Sequence, residues 1–288
     1  MCQNSILVKS TDPGPSNPTI MLVHPLPDPV AFSIGPLSVH WYGLMYLLAF
    51  VLFSILGRIR LKQPHIMREG WTTKNLDDLL FYGVLGVIIG GRLGEVFFYN
   101  PAYFFSHPLQ IFAVWHGGMS YHGGFLGVVI AAWLWCRKNH RNVLATLDLI
   151  APLIPLGYAA GRLGNFINAE LPGRVADPSL PWAMIWPNVD MLPRHPSPLY
   201  QALIDGVLIF VLIWLYARKE RPLGAVSAMY ALLYGSARFF TEYFRTPDYE
   251  VSFAGITISA GQMLSLPMII FGIFALYQSY AYARKKGR

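Results

Sequence analysis

The stretch LIAPLIPLGYAAGRLGNFINAELPG, residues 149–173, places an arginine, two asparagines and a glutamate at the end of an apolar run. The apolar part, residues 149–160, has the character of a membrane helix. An arginine at the end of such a helix is costly unless it is paired, hydrated or bound to an anion. Arg162 is therefore a candidate functional residue, and the remaining chain is expected to provide its surroundings.

The overall composition is that of a chain embedded in lipid. Of the 288 residues, 54% are hydrophobic and 13% are charged, whereas a soluble domain carries about 25% charged residues. The formal net charge is +7, but the basic residues lie in short clusters between apolar runs. Membrane topology explains this pattern better than nucleic-acid binding. The two cysteines, Cys2 and Cys136, indicate neither a disulfide framework nor a metal site.

Seven apolar runs predict an all-α polytopic membrane protein with seven transmembrane helices. They cover approximately residues 41–56, 79–99, 121–135, 147–166, 199–217, 226–244 and 260–280. Basic residues follow the first, third, fifth and seventh runs, so the N-terminus is predicted outside and the C-terminus in the cytoplasm. This topology puts Arg162 near the outer face.

The domain prediction divides the chain into three parts. Residues 1–28 are predicted to be a disordered or mis-started tail, with Met21 as the alternative start. Residues 29–283 form a single membrane domain that includes a small folded extramembrane segment, residues 168–198, which is too long for a simple turn. Residues 284–288 form a basic cytoplasmic tail.

Three arginines lie in or at the edge of the predicted spans: Arg92, Arg162 and Arg238. Snorkelling of the side chain to lipid headgroups is the favoured interpretation for Arg92. Arg162 and Arg238 have polar companions, which favours a functional site. Two arginine faces at one end of a bundle suit a lipid phosphate, because guanidinium binds phosphate oxygens bidentately.

Helical spacing groups the polar companions of these arginines. Arg162 and Asn165 share a helix face, and Glu170 lies just beyond it. A second stripe, at i, i+4, i+8 and i+11, consists of Tyr234, Arg238, Glu242 and Arg245. Glu242 is expected to hold Arg238 or Arg245 in place. Asp148 and Asp205, which lie within spans, are expected to pair inside the bundle.

Histidines provide candidate bases. His122 lies in HGGMSYHGG, residues 116–124, where flanking glycines leave it accessible as a general base near neutral pH. The alternative for His122 and His116 is a hydrogen-bonded interfacial histidine. His195 precedes the fifth span, and Tyr42 in HWYG, residues 40–43, opens the first, where an aromatic belt is the alternative.

Ten of these polar groups fall on the predicted outer side: Tyr42, His122, Arg162, Asn165, Glu170, His195, Tyr234, Arg238, Glu242 and Arg245. A one-sided cluster favours an enzyme or receptor that acts on a lipid of the outer leaflet. The alternative is a non-catalytic phospholipid transporter or flippase, for which polar residues are expected through the whole depth of the membrane.

Residues 161–173 resemble the signature of the bacterial prolipoprotein diacylglyceryl transferase family, and every fixed position of the signature is present. The resemblance continues through HWYGLMY (40–46), GGRLG (90–94), GGMSYHGG (117–124), LPRHPS (192–197) and RFFTEYFR (238–245). It implies a multi-pass enzyme of the bacterial inner membrane, with its N-terminus, its active site and the segment between helices four and five in the periplasm.

The implied reaction transfers the sn-1,2-diacylglyceryl group of phosphatidylglycerol to the thiol of the lipobox cysteine in a preprolipoprotein signal peptide. Glycerol phosphate leaves, and no metal or other cofactor is implied. This reaction is the first step of lipoprotein maturation.

By resemblance, Arg162 and Arg238 correspond to the essential arginines that bind the headgroup. Further positions tied to activity or completing the motifs are Tyr42, His122, Asn165, Glu170, Gly173, Tyr234, Glu242 and Arg245. We add His195 as a substrate-binding residue. The sequence departs from common family residues at Glu95, Pro172 and Gln201, and Glu95 is expected to pair with Arg92 at i, i+3.

The predicted mechanism needs a base for the thiol and stabilisation of the departing phosphate. Arg162 and Arg238 are predicted to provide the stabilisation. His122 is the predicted base, with Tyr42, Tyr234 or Glu170 as alternatives, and the field of the arginines alone as a further one.

Overall fold

A computed structural model describes residues 21–114, 117–247, 249–253 and 256–286, and most of these residues are helical. His116 and the outer parts of the two predicted tails lie outside the described residues. The chain divides into two compact units. The first contains the residues up to Leu52 together with those from Ala151 onward, and the second is Phe53–Ile150. The single membrane domain over residues 29–283 stays a prediction.

Eleven helices are formed by the described residues. They are α1 (Trp41–Leu61), α2 (Pro64–Arg68), α3 (Thr73–Gly94), α4 (Pro101–Ser106), α5 (Tyr121–Lys138), α6 (Val143–Ile150), α7 (Ile154–Ile167), α8 (Ser197–Gln201), α9 (Ile209–Tyr216), α10 (Ala225–Thr241) and α11 (Ala260–Lys285). Side-chain caps begin several of them, because the first backbone N–H groups of a helix need acceptors. Thr72 caps α3 and Ser259 caps α11, each in a reciprocal pair with the residue three positions on.

Several helices join through short irregular turns. A π-helical turn, Glu95–Tyr99, continues α3, and another, Ala202–Leu208, links α8 to α9. A 3₁₀ turn, Ala151–Leu153, links α6 to α7. The linked helices therefore form three long helical segments.

Among the described residues, five helical segments are long and apolar enough to cross a membrane: three linked sets (Thr73–Tyr99, Val143–Ile167 and Ser197–Tyr216) and two single helices (Trp41–Leu61 and Ala260–Lys285). They correspond to five of the seven predicted spans. The other two predicted spans are helices α5 and α10, of 18 and 17 residues. Large apolar side chains of α11 such as Leu264, Ile270 and Phe274 are 60–69% exposed, which suits a lipid environment. The chain is therefore a mostly helical membrane protein.

In the part of the chain that the structure describes, seven short strands accompany the helices: β1 (Leu22–Val23), β2 (Val30–Ile34), β3 (Leu37–His40), β4 (Met184–Trp186), β5 (Asp190–Arg194), β6 (Glu250–Phe253) and β7 (Ile256–Ser259). Strands β2 and β3 form one antiparallel hairpin, and β6 and β7 form another. The third sheet has the order β1-β4-β5, with β1 parallel to β4 and β4 antiparallel to β5. The segment predicted to fold between spans four and five thus contains β4 and β5.

The predicted tail requires a correction at its C-terminal end. Leu22 and Val23 pair with β4, and His24 is only 2% exposed. The His24 ring stacks on Trp186, and its Nε2 lies 2.8 Å from the carbonyl oxygen of Phe166. Leu22, Val23 and His24 therefore belong to the folded part of the chain, and these contacts bury the His24 ring with its hydrogen bonds satisfied.

Each unit has its own close packing. In the first unit, Ile209 and Ile213 of α9 form a buried cluster with Val226 of α10. In the second, α3 and α5 approach through glycines, and a Cβ placed on Gly86 would lie 2.6 Å from the carbonyl oxygen of Gly127. Small residues allow such close contact between membrane helices.

Candidate functional site

Arg162 lies near the C-terminal end of α7 and is held there by an amide. Its Nη1 donates to Asn165 Oδ1 at 3.1 Å, and Asn165 Nδ2 donates to Glu170 Oε2 at 2.7 Å. Glu170 also accepts a hydrogen bond from the amide of Asn168 at 3.2 Å. The carboxylate thus orients the arginine through Asn165 without a direct ion pair. The helix spacing predicted this grouping.

A buried carboxylate connects Arg162 to the second arginine, Arg238. Asp205, in the π-helical turn between α8 and α9, is fully buried and lies within electrostatic range of both arginines. It accepts hydrogen bonds from Thr241 Oγ1 at 3.0 Å and from Tyr158 OH at 3.4 Å. The expectation that Asp205 pairs inside the bundle is confirmed.

Tyr158 is the shared neighbour of the two arginines. Its ring lies under the Arg162 guanidinium, with 4.8 Å from Cζ to the ring centroid. The phenol also interacts electrostatically with Arg238, and its ring meets Tyr234 edge to face at 5.5 Å. Residues from α7, α10 and the turn after α8 therefore bring both arginines to one place.

The stripe predicted on the sixth span forms a linked set of charges. Glu242, whose side chain has no exposed area, pairs with Arg238 and lies 3.5 Å from Nη1 of Arg245. The side chains of Arg238 and Arg245 are 16% and 12% exposed. One carboxylate thus holds both arginines, whereas the sequence predicted one or the other.

Tyr42 also belongs to this neighbourhood. It is the second residue of α1, and a Cβ placed on Gly164 of α7 would lie 3.0 Å from Tyr42 Cδ2. The absence of a side chain at Gly164 lets the Tyr42 ring pack against the helix that carries Arg162 and Asn165.

Gly173 is the point where three segments meet. Its N–H donates to the carbonyl oxygen of His195 at 2.9 Å, and its carbonyl accepts from Arg194. A Cβ at Gly173 would lie 2.5 Å from the His195 oxygen and would also overlap the carbonyl of Phe244. Only glycine fits here, so Gly173 acts on the site by holding neighbouring segments together.

His195 faces this junction and not the arginines. Its Nδ1 lies 3.2 Å from Tyr200 OH, and its ring contacts Phe244. Burial lowers the pKa of His195, because desolvation disfavours the charged ring. Nearby, the hydrogen bond from Arg194 lowers the pKa of Asp190. The described contacts therefore make His195 a neutral structural neighbour of Gly173.

His122 belongs to the second unit and is not among the groups that the first unit brings together. It lies in the first turn of α5, which Ser120 caps, and it is exposed. Its Nδ1 is 3.5 Å from Tyr99 OH.

The favoured interpretation of Arg92 is wrong. Arg92 is 6% exposed, so it does not snorkel to headgroups. Its guanidinium donates to five backbone carbonyls, those of Gln110, Ile111, Ala113, Gly117 and Gly118. Glu95 accepts from Asn100 at 2.7 Å instead of pairing with Arg92. Arg92 therefore fixes the segment that precedes α5.

Three residues of this neighbourhood were not among the predicted site residues: Tyr158, Thr241 and His24. Tyr158 precedes Arg162 by four residues and Thr241 follows Arg238 by three, so helical periodicity provided a signal for both. His24 had no such signal. Among the residues that the structure describes, no group of three or more His, Cys, Asp or Glu side chains could hold a metal ion.

Comparisons with known proteins agree with the motifs. Residues 29–278 match the family described as prolipoprotein diacylglyceryl transferase. The chain is 72% identical over 266 residues to a phosphatidylglycerol–prolipoprotein diacylglyceryl transferase of Janthinobacterium sp. (strain Marseille), covering 92% of this chain and 99% of that protein. Proteins of the same name from Dechloromonas aromatica and Ralstonia pickettii are 59% and 53% identical, covering 92% and 90% of this chain and 99% and 96% of theirs. The chain belongs to the prolipoprotein diacylglyceryl transferase family.

Proposed function

We propose that this protein transfers the diacylglyceryl group of phosphatidylglycerol to the thiol of the lipobox cysteine in a prolipoprotein signal peptide. Family membership over nearly the whole chain supports the reaction class. The convergence of Arg162 and Arg238 on Tyr158 and Asp205 is the structural observation that carries the proposal. Two guanidinium groups at one place provide the planar, always charged donors that a phosphate ester requires.

The chemistry is a displacement at the glycerol carbon that bears the phosphate ester. The cysteine sulfur forms a C–S bond to this carbon, the C–O bond breaks, and glycerol phosphate leaves with the bonding electrons. A thiol with a pKa near 8.5 attacks as thiolate, so its proton passes to a base. The departing phosphate gains negative charge, which positioned arginines stabilise.

The roles follow from the surroundings of each side chain. Arg162 makes no ion pair among the described residues, and Asn165 holds it, so its guanidinium is available to the phosphate. Arg238 adds the second positive charge while Glu242 fixes its position. Tyr42 and Tyr234 lie beside these groups and complete the catalytic set. Headgroup binding extends to Asn165, Glu170, Gly173, His195, Glu242 and Arg245, where Gly173 and His195 act by shaping the wall of the site.

His122 is the proposed base for the thiol. An imidazole ring can accept a proton from a thiol, and the exposure of His122 leaves its ring accessible. Tyr42, Tyr234 and Glu170 are the alternatives in the first unit.

We further propose seven membrane spans, with α5 and α10 joining the five long helices. A span needs about 17–25 residues, and these two helices have 18 and 17. Arg137 and Lys138 end α5, and Arg284 and Lys285 end α11. The positive-inside rule then puts these ends in the cytoplasm of a bacterial inner membrane, and the arginine site on the periplasmic side.

Incubation of the purified protein with phosphatidylglycerol and a lipobox peptide tests the function. The expected result is a mass gain of one diacylglyceryl group on the peptide cysteine, together with release of glycerol phosphate. Lipid movement between leaflets without this mass gain would favour a transporter or flippase instead. Full activity of Arg162→Ala would contradict the role of this arginine in stabilising the departing phosphate. Near-normal turnover of His122→Gln across pH would contradict the assignment of His122 as the base.

A further inference from the structure

Glu242 is the residue on which the position of two arginines depends. Its side chain has no exposed area, and it pairs with Arg238 and with Arg245. Protein interiors are close-packed, so the groups around a buried carboxylate limit where it can lie. The neighbour that closes the space around Glu242 therefore also determines where Arg238 lies.

That neighbour is the first turn of α11. A Cβ placed on Gly261 would lie 2.5 Å from Cδ of Glu242, and 2.6 and 2.7 Å from its two carboxylate oxygens. All three atoms of the carboxyl group thus rest against the backbone of Gly261. Any side chain at this position would have to displace the charged group itself.

The start of α11 is also a favourable place for a carboxylate. Ser259 caps the helix, and Gln262 completes the capping box. Gly261 is the second residue of the helix, where the positive end of the helix dipole favours a negative charge. Ser265 Oγ donates to the Gly261 carbonyl at 2.7 Å, which anchors the glycine.

We propose that Gly261 is a positioning residue for the transfer reaction: its bare backbone seats the Glu242 carboxylate, which places Arg238 for the phosphate ester. The inference rests on the proposed function. In this proposal, Gly261 acts on the reaction through Glu242 and not as a catalytic residue.

A matched control exists on the same helix. Gly272 also lies on α11, and a Cβ there would lie 2.7 Å from the backbone nitrogen of Leu232 in α10. Gly261→Ala and Gly272→Ala therefore add the same methyl group to the same helix. They crowd the same pair of helices, but only the first crowds a carboxylate.

The test is a double-mutant cycle with Glu242→Asp, whose shorter side chain makes room for the added methyl group. Gly261→Ala is expected to lower kcat/KM on the order of 100-fold, the scale of an error of about 1 Å in a positioned group. In the Glu242→Asp background, the same change is expected to cost less than about threefold, because the overlap is relieved. Gly272→Ala is expected to have the same effect in both backgrounds.

Each outcome decides a separate point. The inference would be overturned if Gly261→Ala had wild-type activity. It would also be overturned if Gly261→Ala lowered kcat/KM equally in the wild-type and Glu242→Asp backgrounds. An inactive wild-type protein would instead overturn the proposed function. If Glu242→Asp alone is inactive, the gain in thermal stability on adding phosphatidylglycerol replaces the rate. Gly261→Ala should reduce this gain and Gly272→Ala should not, and equal gains would refute the inference.

Discussion

Removal of the Asn165 amide is the sharpest test of how Arg162 is held. Asn165 is 8% exposed and is the described link between Arg162 and Glu170. The Asn165→Ala change deletes the acceptor of the arginine and leaves the helix intact, because alanine is a good helix former. A hydrogen bond to a charged group is worth about 1.5–3 kcal/mol. Only the hydrogen bond to Arg162 enters this free energy. Glu170 is exposed, so water replaces the Asn165 amide as its hydrogen-bond donor.

This free energy corresponds to a loss of about 10- to 150-fold in kcat/KM, at about 1.4 kcal/mol for each factor of ten. The assay is diacylglyceryl transfer to a lipobox peptide, measured at several concentrations of phosphatidylglycerol. Asn168→Ala is the matched control, because Asn168 donates to the other oxygen of Glu170 but does not contact Arg162. Asn168→Ala should lower kcat/KM less than about threefold. Equal losses in the two variants, or near-normal activity of Asn165→Ala, would refute the idea that the amide orients the arginine.

Three further predictions concern the scaffold. In Arg92→Lys, an ammonium group with three N–H donors replaces the guanidinium that donates to five carbonyls, so at least two hydrogen bonds to a charged group are lost. We expect a local destabilisation of at least about 3 kcal/mol, measured as faster hydrogen exchange over residues 108–114. Gly173→Ala should lower stability by about 1–3 kcal/mol through overpacking, measured by thermal unfolding, whereas Gly83→Ala, with open space around it, should not. Burial lowers the pKa of His24 below 6.5, so the neutral ring contributes stability above pH 6.5 that is lost as pH falls through the folded-state pKa. The melting temperature should therefore drop between pH 7 and 5, and less so in His24→Gln, which also loses the Leu26 N–H bond to Nδ1.

The membrane spans show where sequence patterns succeed and where they stop. Five predicted runs coincide with long apolar helices, because span length and hydropathy are local properties of the chain. Helices α5 and α10 are shorter, with 18 and 17 residues. Whether helices of this length cross a membrane depends on the thickness of the bilayer as well as on the sequence. The strand at Leu22 was invisible in a polar tail, because its partner, Met184, lies far along the chain.

The same division applies to the site. Motif spacing predicted the family, and helical periodicity predicted the two arginine faces, with Arg162 beside Asn165 and Arg238 beside Glu242, because both patterns act over a few residues. The role of Asp205 and Tyr158 in joining the two faces depends on how helices far apart in the chain pack together. Every residue has the same backbone atoms, so a sequence pattern cannot show which of them a side chain will contact. The carbonyls that accept from Arg92 and the Gly261 backbone beside Glu242 are therefore seen only in the packed structure.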